Sequence, residues 1–375
     1  MRHPSPERLV RGFDELYGAS MSARSGKHGD VQTVEFVMQL PSEKFLSGSS
    51  GLFGQAIKLY SQVMLEPYLE DGCFSEHAVQ IEKKLHRQRI ENIVNDKIAY
   101  ASERCVEIMC GDEPYGIPRL GYAEDIDGIT PQSLYRAYQS LLEKSPLHLY
   151  IVGLVDVDSV LAEVFSAFAK IALREDSQES LAYRGNLSTP VVPDKVKMVE
   201  EAFDVNQGKL NMGLRSQISY KDDEYPALIV YNGILGGFPH SKLFTNVREK
   251  ASLAYYASSR LDGLKGLLFI QSGIQVADYQ KAKDIIEKQL ESIKKREISD
   301  DELSFTKTGL INQYLQSDDQ PLTGAMMQMY ARFSGRERQV SELIEQVKSI
   351  SKEDIGQVAD RVYLDTVYFL RDKGL

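Results

Sequence analysis

The sequence predicts an α+β protein built from two homologous domains, each with a mixed or antiparallel sheet and helices on one face. The chain has 375 residues, enough for two domains that each bury a core. The same order of helices and strands occurs in both halves. Capped helix starts also recur at a nearly constant offset, because Ser299 follows Ser75 by 224 residues and Ser351 follows Thr130 by 221. This spacing indicates a tandem duplication.

The first half opens with a predicted helix at 5–17, in which Ser5 is placed as the N-cap and Pro6 in the first turn. After a polar loop, apolar and polar residues alternate around Val34, which predicts a half-buried strand. The other elements predicted here are a helix at 52–65, a charged helix at 75–109, a loop at 114–121, a helix that starts at Thr130, and an apolar strand at 147–154.

The second half repeats this order after an additional opening segment. Alternating strands at 196–203 and 209–215 and an apolar helix at 227–235 come first. The predicted counterparts of the first half then follow as a helix at 242–250 with Ser241 as its N-cap, a hairpin at 253–274, a helix at 279–295, and a closing strand at 366–370.

The repeat also predicts the domain boundaries and a missing segment. We expect a first domain at 1–180, a linker at 181–195 and a second domain at 196–375, because the stretch 174–194 is rich in Ser, Glu and Pro and has no clear period. In the second half 45 residues separate the first strand at Val196 from Ser241, whereas only four residues precede Ser5. By this internal comparison, the first domain lacks its opening two strands and helix.

Composition excludes several classes of partner. A net charge of −10 argues against nucleic acid or an anionic membrane as the main partner. The N-terminus has no apolar signal region, and the sequence has no run of 18 apolar residues, so neither export nor a membrane span is predicted. Three cysteines form no disulfide framework and no CxxC pair, which favours a cytoplasmic location.

The stretch 236–259, GGFPHSKLFTNVREKASLAYYASS, is the strongest candidate site. Gly236 and Gly237 can end the preceding helix, Arg248 falls in the last turn of the next helix, and Tyr255 begins a strand. A guanidinium and a phenol at such a corner can hold a peptide carbonyl or an oxyanion. The alternative is an ordinary solvated charge and a strand aromatic.

This stretch resembles the C-terminal half of the pitrilysin/insulinase family of zinc metallopeptidases, where a helix, a glycine pair, SxLF, VREKxxLAY and a long hairpin follow one another. DELYGA and PYGIPRLGYAEDIDGIT match further family segments, so the resemblance covers nearly the whole chain. It implies a processing-peptidase-like fold and contacts from Arg248 and Tyr255 to the substrate backbone. It also implies a substrate loop at Gly236, Gly237 and Phe238.

The zinc ligands of that family are not matched. Family members carry HxxEH on the helix that the first domain lacks, with two histidines as ligands and the glutamate as general base. The sequence has six histidines, and no two are four residues apart. The third family ligand, a glutamate, falls on Gln88 or Arg89, and neither side chain is a zinc carboxylate. We therefore expect no metal site on this chain and zinc on a partner subunit.

The resemblance thus implies a non-catalytic subunit, inactive alone, that pairs with an HxxEH-bearing homologue to enclose unfolded or short peptides. It leaves open whether Arg248 and Tyr255 support catalysis or are vestigial. The alternative is a scaffold or peptide-binding module, and members of this type are also associated with modification of elongation factor P. A third hypothesis, a self-sufficient peptidase, predicts stoichiometric zinc in the isolated protein.

Overall fold

The computed structural model describes residues 6–46, 51–169, 171, 192–318 and 320–374. The chain divides into two compact units. The first unit comprises residues 1–26, 32–91 and 119–177, and the second comprises 27–31, 92–118 and 178–375. Two pieces of the first half therefore belong to the second unit. The predicted linker at 181–195 lies outside the described residues as far as residue 191.

The first half contains six helices and two strands among its described residues. They are α1 (Pro6–Asp14), β1 (Ser20–His28), β2 (Val31–Gln39), α2 (Leu52–Leu65), α3 (Glu76–Ile93), α4 (Lys97–Met109), α5 (Pro131–Lys144) and α6 (Val157–Ala167). The helix at 52–65 was predicted with the same bounds.

The polar loop predicted before Val34 is wrong, because strand β1 occupies most of it. β1 pairs with β2, and only Gly29 and Asp30 connect the two strands. Gly29 has a φ of +57°, which suits a tight hairpin turn. The sequence of β1, SMSARSGKH, has no apolar alternation, so its strand character comes from pairing with β2 rather than from a buried face.

The single helix predicted at 75–109 is two helices, α3 and α4. The break at 94–96 ends in Asp96, whose side chain accepts hydrogen bonds from the backbone nitrogens of Ile98 and Ala99, each over 3.1 Å. Asp96 is therefore the N-cap of α4.

The strand predicted at 147–154 is also wrong, because these residues form neither a strand nor a helix. Its apolar side chains Leu147, Val152 and Leu154 are exposed. A strand requires a neighbouring strand to pair with, and its own β-branched composition is not enough.

The second half contains a five-stranded mixed sheet with strand order β3-β7-β4-β6-β5. β3 is parallel to β7, and the other pairs are antiparallel. The elements are β3 (Lys197–Phe203), β4 (Gly208–Ser216), α7 (Tyr225–Asn232), β5 (Ala254–Asp262), β6 (Leu267–Ile274), α8 (Tyr279–Lys294), α9 (Asp300–Asp318), α10 (Pro321–Ser334), α11 (Val340–Ser349), α12 (Lys352–Ala359) and β7 (Val362–Asp372). The predicted α+β class is confirmed.

The central strand β4 separates two differently covered faces of this sheet. Leu210, Met212 and Leu214 point to one face and pack with α7, α8 and α12 in the main hydrophobic core. The opposite face lies under α4, a helix from the first half. Gly213 provides the room for that contact, because a Cβ at this position would lie 2.5 Å from Met109 Sδ.

Buried charges also lie on the α4 side of the sheet. Arg215 pairs with Asp365 and with Glu113, each over 2.6 Å. Lys265 pairs with Glu113 and with Asp30, each over 2.7 Å. Glu113 thus receives two cations, and the network connects the segments 27–31 and 92–118 to the strands of the second half.

Three of the four predicted helix starts of the repeat, at Thr130, Ser299 and Ser351, are confirmed in atomic detail. Thr130 and Ser133 form a capping box, as do Ser351 and Asp354. Ser299 Oγ accepts a hydrogen bond from the Glu302 backbone nitrogen, and the Glu302 carboxylate accepts one from the Ser299 nitrogen.

Within the residues that the structure describes, no helix is both long and apolar enough to cross a bilayer.

Candidate functional site

The candidate site begins where α7 ends. The chain continues from α7 into a π-helical segment, Gly233–Gly237, and after a turn at 238–241 it forms a second one, Phe244–Lys250. π-helical turns are rare in proteins, and those that occur lie frequently at functional sites. Two of them within 18 residues mark this corner as the least regular helical region of the second half.

Glycines shape the first π-helical segment. Gly236 is buried, and a Cβ there would collide with the backbone nitrogen of Ser259 in β5. Gly237 is exposed, and a Cβ there would lie 3.3 Å from the carbonyl oxygen of Asn232. Gly236, the first of the predicted glycine pair, therefore lets the helical backbone lie directly on β5.

Phe238, the third residue of the predicted substrate loop, is half-buried. Its ring lies against Gly233 and Gly309, where added Cβ atoms would come within 3.1 Å and 2.7 Å of it. The ring also stacks on His240, with 5.2 Å between centroids. His240 Nε2 lies 2.9 Å from Thr306 Oγ1, and burial lowers the pKa of this histidine. The loop is thus held by packing.

The prediction that Ser241 caps the second helix is wrong. Ser241 is fully buried, and its hydroxyl has no hydrogen-bond partner among the described residues. Its backbone carbonyl accepts instead, from the nitrogen of Thr245 over 2.9 Å. The buried side chain therefore makes no capping bond to the helix end among the described residues.

Arg248 lies in the last turn of the second π-helical segment, as predicted, and is exposed. Its guanidinium carbon lies 4.6 Å from the ring centroid of Phe244, one helical turn earlier. This cation–π contact restrains the side chain. The segment ends at Lys250, and Ser252, two residues later, has a φ of +52°.

Tyr255 lies at a β-bulge in β5. Ala254 pairs with Ile274 and Tyr256 with Gly273, so Tyr255 is the extra residue. Its side chain is 64% exposed. Gln275 Nε2 lies 3.5 Å from its hydroxyl. β5 is an edge strand of the sheet, and the bulge directs this phenol to solvent.

Tyr256, the next residue, has the opposite environment. A Cβ on Gly273 would lie 2.5 Å from its ring, and Lys209 Nζ lies 5.8 Å from the ring centroid. Burial raises the pKa of Tyr256 to about 12. Only one tyrosine of the pair is therefore presented as an exposed donor.

Arg248 and Tyr255 thus follow one another on consecutive elements, both exposed and each with N–H or O–H groups for an acceptor. Such donors can bind the carbonyl of a peptide or the oxyanion formed from it. Sequence reasoning missed Phe244 and Gln275, which support them. The spacing of four residues between Phe244 and Arg248 on a helix was a usable signal for the first contact.

The described residues do not fit a zinc site. No group of three His, Cys, Asp or Glu side chains that can hold a metal ion occurs in the described ranges. Gln88 and Arg89, which match the family's third ligand, lie on α3, and Arg89 Nη1 is 3.9 Å from the carboxylate of Glu82. His86 Nε2 lies 2.9 Å from the carbonyl oxygen of Leu120.

Comparison with known proteins agrees with the fold and gives the family. Residues 128–310 match the model of the Peptidase M16 inactive domain. Over 370 residues, the chain is 38% identical to a Bacillus subtilis protein named Probable inactive metalloprotease YmfF, and the match covers 98% of this chain and 85% of that protein. The chain belongs to the M16 peptidase family. This confirms the resemblance to pitrilysin and insulinase.

Other relatives and solved structures are similar over most of this chain. An uncharacterized zinc protease of Streptomyces coelicolor is 24% identical over 297 residues, a match that covers 78% of this chain and 64% of that protein. A conserved protein from Enterococcus faecalis superposes with a TM-score of 0.90 at 28% identity and covers 99% of this chain and 86% of that one. A Helicobacter pylori protease shares the fold. It superposes with a TM-score of 0.74 at 18% sequence identity, and the match covers 97% of this chain and 83% of that one.

Proposed function

We propose that this M16 chain is a non-catalytic subunit that pairs with an HxxEH-bearing homologue and helps to hold a peptide for hydrolysis. The observation that carries the proposal is the exposed pair Arg248 and Tyr255 on a chain that contains no HxxEH. The site has hydrogen-bond donors for a peptide backbone, and the described residues have no set of ligands for a metal. Such a chain can contribute to binding but requires another chain for the chemistry.

The contacts around the pair support a binding role. Arg248 is restrained by Phe244, and Tyr255 is held outside the sheet by the bulge, so both donors are partly ordered before a peptide binds. Preordered donors that approach a developing oxyanion stabilise it without reorganisation of the site. In this proposal the partner supplies zinc, the activated water and the general base, and this chain closes the chamber around the peptide.

We also place the assembly in the cytoplasm as part of this proposal. Cys73, Cys105 and Cys110 are all free thiols, and the latter two are fully buried. A reducing compartment preserves thiols in this state. The net charge of −10 suits basic or neutral peptides better than acidic ones.

The test is peptide hydrolysis by the chain reconstituted with an HxxEH-bearing M16 homologue. Arg248→Ala and Tyr255→Phe should each lower kcat by roughly 100-fold, because each removes a donor to the oxyanion. Size-exclusion chromatography should show an unchanged assembly. Lys250→Ala and Tyr122→Phe are matched controls, since both residues are exposed and lie outside the proposed donor pair. Loss of kcat in the controls as well would contradict the specific role.

A second candidate is a scaffold or peptide-binding module in which the pair no longer acts in catalysis, with a link to elongation factor P modification as one setting. The stacking of Arg248 on Phe244 favours it, because a purely local packing role explains that contact. The same variants separate the two functions. Unchanged kcat with the assembly intact selects the scaffold.

A further inference from the structure

Ser252, which lies between Arg248 and Tyr255, has an unusual backbone conformation for its residue type. Its φ of +52° falls in the left-handed region, which glycine adopts without strain and other residues adopt rarely. Among the described residues, four that are not glycine have a positive φ, and Ser252 is the one that lies in the stretch 236–259. Backbone strain of this kind occurs frequently at functional sites. The conformation of Ser252 therefore points to a constraint on the chain at this position.

Ser252 joins the second π-helical segment to β5. The helical segment ends two residues before it, and the strand begins two residues after it. Ala251 still has helical dihedral angles, with a φ of −84° and a ψ of −19°. The left-handed turn at Ser252 thus separates the helical element that carries Arg248 from the strand that carries Tyr255.

Two hydrogen bonds and a buried contact hold this turn. The backbone nitrogen of Leu253 donates to the carbonyl oxygen of Val247 over 3.1 Å, and so closes the turn across the left-handed residue. Ser252 Oγ donates to the carbonyl oxygen of Glu249 over 3.2 Å. Val247 and Leu253 are both buried in the main hydrophobic core. The turn is therefore closed by hydrogen bonds and fixed to the core by packing.

Both donors of the candidate site are attached directly to this turn. Val247 immediately precedes Arg248, and Leu253 comes two residues before Tyr255. The bond between Leu253 and Val247 therefore fixes the backbone next to each donor. Arg248 is also restrained by its cation–π contact, and Tyr255 by the β-bulge, but neither of these contacts relates one donor to the other. The turn at Ser252 is the local link between them.

We propose that Ser252 is a positioning residue, and that its left-handed conformation sets the placement of Arg248 relative to Tyr255 for a shared carbonyl or oxyanion. This inference rests on the function proposed above for the donor pair. Two donors stabilise one oxyanion when both reach it at hydrogen-bond distance, and a displacement of about 1 Å can lower a rate by about 100-fold. The backbone of Ser252 acts through the two donors, and its side chain makes no contact with the peptide.

The test measures kcat and KM for peptide hydrolysis by the chain reconstituted with an HxxEH-bearing M16 homologue, at a temperature where circular dichroism shows every variant folded. Ser252→Val should lower kcat by about tenfold or more and leave KM within about twofold, because a β-branched residue disfavours a positive φ and the donors act in the transition state. Ser252→Gly should keep kcat within about twofold, since glycine adopts the same φ. Hydrogen exchange of the Leu253 amide should be about tenfold or more faster in Ser252→Val than in Ser252→Gly, because the bond to Val247 is lost.

Asp71→Val is the matched control. Asp71 has a φ of +51° and is exposed, so valine there imposes a similar backbone strain outside the stretch 236–259. It should lower the Tm by an amount similar to that of Ser252→Val and leave kcat within about twofold.

Three results would overturn the positioning role and leave the proposed function standing, provided that Arg248→Ala and Tyr255→Phe still lower kcat. They are an unchanged kcat in Ser252→Val, equal losses of kcat in the two valine variants, and a loss in Ser252→Gly as large as that in Ser252→Val. An unchanged kcat in Arg248→Ala and Tyr255→Phe would instead overturn both proposals.

Discussion

Tyr255 and Tyr256 are neighbours in β5, yet the bulge between them exposes the first ring and packs the second against Gly273. An unbroken strand also alternates its side chains between the two faces. The bulge adds a change of register, so that Tyr255 has no partner directly opposite it in β6. Alternation and the bulge together leave the phenol of Tyr255 available to a ligand.

The two tyrosines should differ in their effect on stability. Tyr255→Phe should change the free energy of unfolding by less than about 0.5 kcal/mol, because the side chain is exposed and its hydroxyl makes a long contact, 3.5 Å, with Gln275. Tyr256→Ala should cost about 3 kcal/mol through lost packing. Urea denaturation of the two variants measures both. Equal losses would show that the bulge does not separate the two environments.

Glu113 should be the most sensitive member of the buried ionic network. Glu113→Gln leaves Arg215 and Lys265 with one carboxylate partner fewer each, and should destabilise the chain by about 3 kcal/mol. Glu345→Gln is the control, since this residue is exposed and pairs only with Lys348 in the described contacts, and it should cost less than about 0.5 kcal/mol. Urea denaturation at neutral pH measures the free energy of unfolding of both variants and of the parent chain.

The same carboxylate predicts a pH dependence. Burial alone would raise the pKa of Glu113, but the hydrogen bonds and charges of Lys265 and Arg215 outweigh it and hold the pKa below its usual value. A lowered pKa in the folded state means that this stabilisation is present above the unfolded pKa of about 4.3 and is lost as the pH falls below it. Unfolding free energies measured from pH 7 to pH 3 should therefore fall less steeply for Glu113→Gln than for the parent chain. Parallel curves would contradict this role.

Gly236 should tolerate no side chain. Gly236→Ala places a Cβ against the backbone nitrogen of Ser259 and should cost about 2 kcal/mol or more, because two backbone segments must separate. Gly324→Ala is the control. Gly324 lies inside α10 with no atom within 4 Å of an added Cβ, so alanine should stabilise the chain by up to about 1 kcal/mol. Thermal unfolding of the parent chain and the two variants should give the highest Tm for Gly324→Ala and the lowest for Gly236→Ala.

The repeated architecture could be predicted because its signals are local. Capping residues such as Thr130 and Ser351 act within one helical turn, so their spacing in the sequence survives in the structure. The hairpin at 253–274 and the position of Arg248 at a helix end follow from the same kind of signal. Ser241 shows the limit of this reasoning, since a residue type suited to capping is buried without that contact.

The remaining features depend on contacts that are distant in sequence. The run 147–154 has strand composition, but a strand also needs neighbours, and in the second half those neighbours come from a separate segment. β1 shows the opposite case. It is a polar segment without strand composition, and it forms a strand because its partner β2 begins after only two connecting residues. The bulge at Tyr255 and the π-helical segments have no signal beyond nearby glycines, because they reflect how α7 meets the sheet.

The most direct test of the account measures zinc and peptide cleavage in parallel for the isolated chain, for an HxxEH-bearing M16 homologue, and for the two combined. We predict that the isolated chain contains far less than one zinc per molecule and cleaves no peptide. We also predict that its addition raises the turnover of the homologue. One tightly bound zinc per isolated, homogeneous chain, together with peptide cleavage, would contradict the account.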